Sequence, residues 1–357
     1  MSRHQNAIIG VPCTFLMKSM VAKLNSEFLL DVNNSTGLES YLGKNEHLNE
    51  NEVLEHLEVA GDGNMNMVLR ATTNQRAFIL KQSLPWVHRF PLVKAPQERI
   101  LTEFNFYQTV RENKAIRKLT PEMYWLDESN FLLCMEDFGR SQDFMHLYRK
   151  GENLEKSEMA DMARVVSELH FNFKYEPENS GIANMKMREL NHEHIFNLPL
   201  NSSNGFNLDR VLSGFQSATD KFRNDEKLKS CATELGEVYL ASTGTRLLHG
   251  DYYPGSWLKT PNGFRMIDPE FCFKGPAEFE LGVAMAHLKM AQQSERILKD
   301  LFVYYHFDSK FDGSLFSKFA GMEIIRRLLG LAQLPLELDL KERLELLDEA
   351  YELVLNG

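Results

Sequence analysis

The stretch His249-Gly250-Asp251-Tyr252-Tyr253-Pro254-Gly255-Ser256, followed after a short interval by Asp268-Pro269-Glu270-Phe271, constrains this chain more than any other. Residues 245–248 and 264–267 are short apolar approaches, and Thr260-Pro261-Asn262-Gly263 is a turn between them. Strand, loop, hairpin and strand are therefore expected, with an acid at each of two neighbouring strand ends. Phosphoryl transfer uses such a pair: one Asp accepts or orients the acceptor's hydroxyl proton, and another holds Mg²⁺ against the phosphates. The triplet His249-Gly250-Asp251 alone would equally suit a loop His and Asp capping a turn, so the longer string carries the reading.

His249-Gly250-Asp251 with Gly255-Ser256, then Ile267-Asp268-Pro269-Glu270-Phe271 and Gly275-Pro276, resembles the catalytic core of the S-methyl-5-thioribose kinases. That family lies in the aminoglycoside phosphotransferase and choline kinase-like group, which has the protein-kinase fold. The resemblance implies an α+β, bilobal protein-kinase-like architecture. Residues 1–139 would form a small antiparallel-sheet lobe for the nucleotide, and residues 140–357 a larger, mainly helical catalytic and substrate lobe. It also implies Asp251 as the catalytic base in contact with the acceptor, and Asp268 and Glu270 as the Mg²⁺ ligands. Most of the group carries Asn where this chain has Ser256 and a single metal-binding Asp where it has Asp268-Pro269-Glu270; both differences are the thioribose kinase pattern. Two features depart from that pattern: Tyr252-Tyr253-Pro254 replaces a Leu-His-Thr type triplet, and Glu280 stands where Asp is usual. Tyr253 and Pro254 are near enough to Asp251 to bear on acceptor selectivity.

Composition limits the partners. The chain has 357 residues, long enough for two lobes around separate cores, and a formal net charge of −10. No Lys/Arg-rich face offsets that charge, so nucleic acid is not an expected partner and any nucleotide must be held by a local site. Cys13, Cys134, Cys231 and Cys272 are far apart and read as reduced thiols of a cytoplasmic protein. No run reaches the ~18 apolar residues that span a bilayer. The apolar run 7–17 imitates a signal peptide only until Lys18, and residues 1–30 are set apart as an extension, with Met17 or Met20 an alternative start. Whether the chain forms a homodimer is left open.

In the first lobe a short helix at 38–42 precedes strands at 54–59, 67–70 and 77–82, with Gly61-Asp62-Gly63-Asn64-Met65-Asn66 between the first two. A glycine turn in a hairpin can offer successive backbone N–H groups to an anion, although such turns are common in ordinary hairpins. Lys81, at the end of an apolar strand, is placed either to reach phosphates or to point from an edge strand into water. The string Gly61-Asp62-Gly63-Asn64, with Lys81-Gln82-Ser83-Leu84-Pro85, is similar to the nucleotide loop and following strand of the thioribose kinases. The resemblance implies that Gly61, Asp62, Gly63, Asn64, Asn66 and Lys81 hold ATP, with Glu103 as the carboxylate partner of Lys81 and Glu98 as the alternative. It also places adenine recognition at Met135, Glu136 and Phe138, after the apolar run 131–135.

Helical spacing dominates from residue 140. Met159, Met162, Val166, Leu169 and Phe173 recur at intervals of three or four, giving a core helix over 157–173 whose His170 reads as a structural histidine. Helical pieces are expected around 185–196, with helices at 277–291, 317–334 and 341–355. His192 and His194 lack a third ligand at metal spacing. Within 317–334, Glu323 precedes Arg327 by four residues, the spacing of a surface ion pair. Arg326 lies on an apolar face, where a buried guanidinium needs an anionic or hydrogen-bonding partner. Residues 324–332 are similar to the twin-arginine helix of thioribose kinases, which implies that Arg326 and Arg327 bind the sugar and the transferred phosphate. The expected activity is transfer of the ATP γ-phosphoryl to 5-methylthioribose. The alternatives are a kinase of another pentose, choline, an amino alcohol or an aminoglycoside, and a non-catalytic nucleotide-binding pseudokinase.

Overall fold

A computed structural model describes residues 28–61, 63, 65–174, 182–241 and 244–357. Asp62 and Asn64 of the glycine turn lie outside the described residues, as does the 1–27 segment. The chain divides into two compact units, one formed by Met1–Leu101 with Met123–Asp137 and the other by Thr102–Glu122 with Phe138–Gly357. Residues 102–122, read from the sequence as part of the first lobe, group with the second unit. There the Met266 N–H donates to the Leu119 carbonyl (2.7 Å) and the Asp268 N–H to the Tyr107 hydroxyl (3.1 Å).

In the first unit, α1 (Ser35–Lys44) is followed by β1 (Leu54–Val59), β2 (Met67–Thr73) and β3 (Ala77–Gln82), then the small hairpin β4 (Trp86–Val87) and β5 (Phe90–Lys94). Helix α2 (Arg99–Val110) and the single turn α3 (Lys114–Arg117) lead to β6 (Met123–Asp127) and β7 (Leu132–Glu136). Among the described residues these strands make an antiparallel sheet in the order β1-β2-β3-β7-β6. Successive strand side chains point to opposite faces, so Leu69 and Ala71, Phe78 and Leu80, and Leu132 and Cys134 line one side. Leu38 and Leu42, one turn apart on α1, cover that face and complete its core.

The second unit continues with β8 (Gln142–Asp143), α4 (Lys156–Asn172) and α5 (Met185–His192), the last running into a π-helical turn at Glu193–Asn197. Next come α6 (Phe215–Arg223), α7 (Glu226–Leu240), β9 (Arg246–Leu248), β10 (Trp257–Thr260), β11 (Gly263–Met266) and β12 (Phe273–Gly275). Four helices close the chain: α8 (Ala277–Met290), α9 (Glu295–Tyr304), α10 (Gly313–Leu329) and α11 (Leu340–Asn356). Helix α8 is largely apolar, with Phe279, Leu281, Val283, Met285 and Leu288 buried, as suits a central helix. Gly282 allows α10 to lie directly on it, since a Cβ there would sit 2.9 Å from the Phe319 Cβ and the Ala320 nitrogen. Helix α10 starts four residues before the expected 317 because Asp312 caps it, accepting from Ser314 N–H (2.9 Å) and Leu315 N–H (3.1 Å). Among the described residues, no helix is long and apolar enough to cross a membrane.

Candidate active site

β9 and β12 pair antiparallel, with Leu248 opposite Phe273 and Arg246 opposite Gly275. The segment carrying Asp251 leaves β9 where the segment carrying Asp268 and Glu270 enters β12, so this pairing sets the two acidic loops side by side. Gly250 lets them touch. It has φ +86°, and a Cβ there would fall 2.1 Å from the Phe271 carbonyl oxygen. His249 Nε2 lies 2.8 Å from the Ile267 carbonyl oxygen, and the Ile267 N–H donates to that of Ser256 (3.0 Å). Asp268 adopts φ +69°. For a non-glycine residue this conformation costs on the order of 1–3 kcal/mol, and it persists where the surroundings impose it, often at functional positions.

Ser256 is committed to the loop it belongs to. Its buried Oγ lies 3.0 Å from the Asp251 carbonyl oxygen and 2.9 Å from that of Tyr253, and accepts from the Tyr253 N–H (3.1 Å). Glu270, two residues after Asp268, is also buried. No group of three or more His, Cys, Asp or Glu among the described residues could hold a metal unaided. Carboxylate oxygens such as those of Asp268 and Glu270 are of the donor type that Mg²⁺ takes, one or two at a time with phosphates and water.

Glu280 anchors the Asp251 loop from within α8. Its carboxylate accepts from the His249 N–H (3.1 Å), the Gly250 N–H (2.7 Å) and His170 Nε2 (2.9 Å). Burial alone would raise the Glu280 carboxyl, but the His170 hydrogen bond, the charges of His170 and His249 and the Gly250 N–H outweigh it and hold it below the usual range. His170 is a satisfied structural histidine, its Nδ1 lying 2.9 Å from the Tyr305 hydroxyl.

The arginine pair on α10 corrects one expectation. Glu323 does pair with Arg327, but not at the surface: its side chain is 1% exposed and each arginine side chain 7%. Helix α10 is packed between α8 and α11, which buries the face that spacing alone would leave outside. Arg327 Nε donates to Glu323 Oε1 (2.6 Å), and Arg326 Nη1 to Oε2 (3.0 Å) and Oε1 (3.3 Å). Arg327 Nη2 also donates to Asp251 Oδ1 (3.1 Å), which lies 3.8 Å from Arg326 Nη1. The Arg327 guanidinium sits 4.9 Å from the centre of the Tyr253 ring, while Arg326 Nε is buried with no hydrogen-bond partner. His287 Nε2 lies 3.0 Å from Glu323 Oε1, and its Nδ1 2.5 Å from the Tyr148 hydroxyl.

This network has a pH signature. Burial raises the Glu323 carboxyl, yet the charges of Arg326 and Arg327 carry it well below its ordinary range. Burial, opposed by Glu323 and reinforced by Arg327, pushes His287 from 6.5 down to about 4. A histidine depressed on folding contributes stability that is complete above its unfolded value and is lost as pH falls toward its folded one. Unfolding free energy is therefore expected to drop between pH 6.5 and 4, by at most about 3 kcal/mol from His287, with the glutamates adding to the loss below pH 4.5. Urea unfolding of wild type and His287→Gln across this range checks it: the variant's profile should be flatter, and parallel profiles would contradict the assignment.

In the first unit, Lys81 is not on an edge strand. β3 is an inner strand, with Lys81 between Val68 on β2 and Leu133 on β7 and only 4% exposed. The solvent-facing alternative is thereby removed. Gly61 (φ +79°), Gly63 and Asn66, with Met67, His88 and Arg89, line a cavity of about 90 Å³. Asn66 Oδ1 accepts from Arg99 Nε (3.0 Å), and Arg99 Nη2 donates to the Met65 carbonyl (2.9 Å), so a buried arginine pins the end of the glycine turn. Met135 and Glu136 end β7, and the division between the units falls between Asp137 and Phe138. Glu103 is buried on α2, within the second unit.

The sequence reading missed His287 and Tyr148, and gave Glu280 no role. A signal was present: Glu280 and His287 are ionisable residues seven positions apart, separated only by the apolar run 281–286, a spacing that puts both on one face.

No protein-family model matches the chain. Methylthioribose kinase of Geobacillus sp. (strain WCH70) is 25% identical over 322 residues, covering 76% of this chain and 77% of the relative. Methylthioribose kinase 1 of Oryza sativa subsp. japonica is 28% identical over 265 residues, covering 67% of this chain and 57% of the relative. The crystal structure of choline kinase LicA from Streptococcus pneumoniae superposes with a TM-score of 0.52 at 12% identity, over 90% of this chain and 98% of that one. At that identity the structural likeness speaks for the fold, which is the bilobal α+β protein-kinase-like fold. Two acidic loops and the paired arginines of α10 thus stand in a chain that is similar in sequence to methylthioribose kinases and in fold to a choline kinase.

Proposed function

We propose that this protein is an ATP-dependent kinase that transfers the γ-phosphoryl group to the anomeric hydroxyl of 5-methylthioribose, giving 5-methylthioribose 1-phosphate in methionine salvage. The observation that carries the choice of acceptor is the arginine pair beside Asp251. Glu323 is closed off from solvent, whereas the two guanidiniums and Asp251 keep some exposed surface, so two cationic groups border the catalytic carboxylate. Choline, an amino alcohol or an aminoglycoside would bring a cation to that place. An uncharged sugar acquiring a phosphate brings oxygens that the guanidiniums can bind.

In this reading Asp251 takes the proton of the attacking hydroxyl, and Arg326 and Arg327 orient the sugar and meet the charge that develops on the transferred group. Lys81 and the Gly61, Asp62, Gly63, Asn64 and Asn66 turn hold the phosphates. Met135, Glu136 and Phe138 border the adenine. Asp268 and Glu270 would hold Mg²⁺, which when bound neutralises phosphate charge. The test is an ADP-release assay with methylthioribose, ribose, choline, ethanolamine and an aminoglycoside as acceptors. Methylthioribose should be preferred, and turnover of only the cationic acceptors would overturn the reading.

With Ser256 bound to its own loop, the second metal carboxylate falls to Glu270. Glu270→Gln is expected to raise the Mg²⁺ requirement steeply, and Ser256→Ala to do much less. Both are read as the Mg²⁺ dependence of activity and of ADP binding by calorimetry. The opposite order would show the metal shell to be wrongly assigned.

A further inference from the structure

We propose that Glu323, held in place by His287 and Tyr148, is a positioning residue of this active site, which fixes the arginine pair so that Arg327 Nη2 is directed at Asp251 Oδ1 and Arg326 Nη1 lies 3.8 Å from it. The inference rests on the functional reading above and deepens it. Two adjacent guanidiniums on one buried helix face repel each other and lose hydration, so they need a fixed anion close by. Glu323 supplies it from the preceding turn of the same helix. Oε1 receives Arg327 Nε (2.6 Å), Arg326 Nη1 (3.3 Å) and His287 Nε2 (3.0 Å), and Oε2 receives Arg326 Nη1 (3.0 Å).

Arg327 is left with Nη2 directed at Asp251, and Arg326 with an unpartnered, buried Nε. Without Glu323, Asp251 would be the nearest anion for both arginines and would be drawn away from the acceptor's proton.

The carboxylate is itself held. The Tyr148 hydroxyl donates to His287 Nδ1, which leaves the ring proton on Nε2 and pointed at Glu323. The Tyr253 ring, 5.1 Å from His287 and 4.9 Å from the Arg327 guanidinium, closes the same assembly from the Asp251 loop. A carboxylate that touches neither nucleotide nor acceptor thus sets the direction of the groups that do.

The test uses the full-length enzyme with methylthioribose and Mg·ATP. Glu323→Gln keeps the shape and removes the charge. It is expected to lower kcat/KM for methylthioribose by about 10²-fold, the size of a lost charge-stabilising donor, with KM for ATP and affinity for ADP within about two-fold of wild type. Because Glu323 acts through the arginines, the double variant Glu323→Gln/Arg326→Lys should lose far less than the product of the single effects. His287→Gln should show the same split at about ten-fold, and it carries the test where Glu323→Gln does not fold. Wild-type kinetics in a folded Glu323→Gln, additive effects in the double variant, or an equal loss of ATP affinity would overturn the inference. Failure of the wild type to turn over methylthioribose would instead remove the functional reading.

Discussion

Asp251→Asn is expected to cost about 10²–10⁴-fold in kcat on methylthioribose, the usual contribution of a positioned acid–base group, and to leave nucleotide binding nearly unchanged. The substitution is isosteric, and the amide oxygen can still accept from Arg327 Nη2, which now donates to Oδ1 at 3.1 Å. The loop should keep its shape, because its backbone is fixed by groups other than this carboxylate. Glu280 receives the N–H groups of His249 and Gly250, and Ser256 Oγ lies within hydrogen-bond reach of the Asp251 carbonyl. What is lost is the ability to accept a proton. Steady-state kinetics with calorimetric ADP binding separates the two quantities, and a variant with wild-type kcat would remove Asp251 from the mechanism.

Arg326→Lys is the second large effect, expected at roughly 10²-fold or more in kcat/KM for methylthioribose with ATP affinity little changed. Lysine keeps the charge and loses the planar fork. Arg326 Nη1 lies 3.0 Å and 3.3 Å from the Glu323 oxygens and 3.8 Å from Asp251 Oδ1, while Nε has no partner in the buried site. An ammonium could retain the ion pair with Glu323 but offers nothing at the Nε position. Full activity on methylthioribose in both Arg326→Lys and Arg327→Lys would make the helix a structural element and reopen the choice of acceptor.

Strong local signals made much of the fold legible. The strands at Leu54–Val59 and Ala77–Gln82 have the boundaries expected from alternation and turns, and the helix read over 157–173 is Lys156–Asn172. Helices α6, α7 and α9 were not foreseen. They are amphipathic surface helices between polar connections, and their caps at Asp225 and Ser294 were passed over. Burial was the harder quantity. The i, i+4 spacing of Glu323 and Arg327 identified the partners, but not that α8 and α11 enclose them. Lys81 was placed on the right strand while its inner position in the sheet stayed undetermined, because strand order depends on pairing with β7, far along the chain. The Tyr148–His287–Glu323 chain joins three separate segments, a relation that no local spacing encodes.

The central claim is the identity of the acceptor and of the atom phosphorylated. Incubation of the enzyme with 5-methylthioribose and Mg·ATP, followed by ³¹P and ¹H NMR of the product, tests it most directly. The account predicts one phosphate monoester per ADP formed, with its phosphorus coupled to the anomeric proton of the sugar. No sugar phosphate under conditions where choline or an amino alcohol is phosphorylated, or a phosphate coupled to any other ring proton, would contradict it.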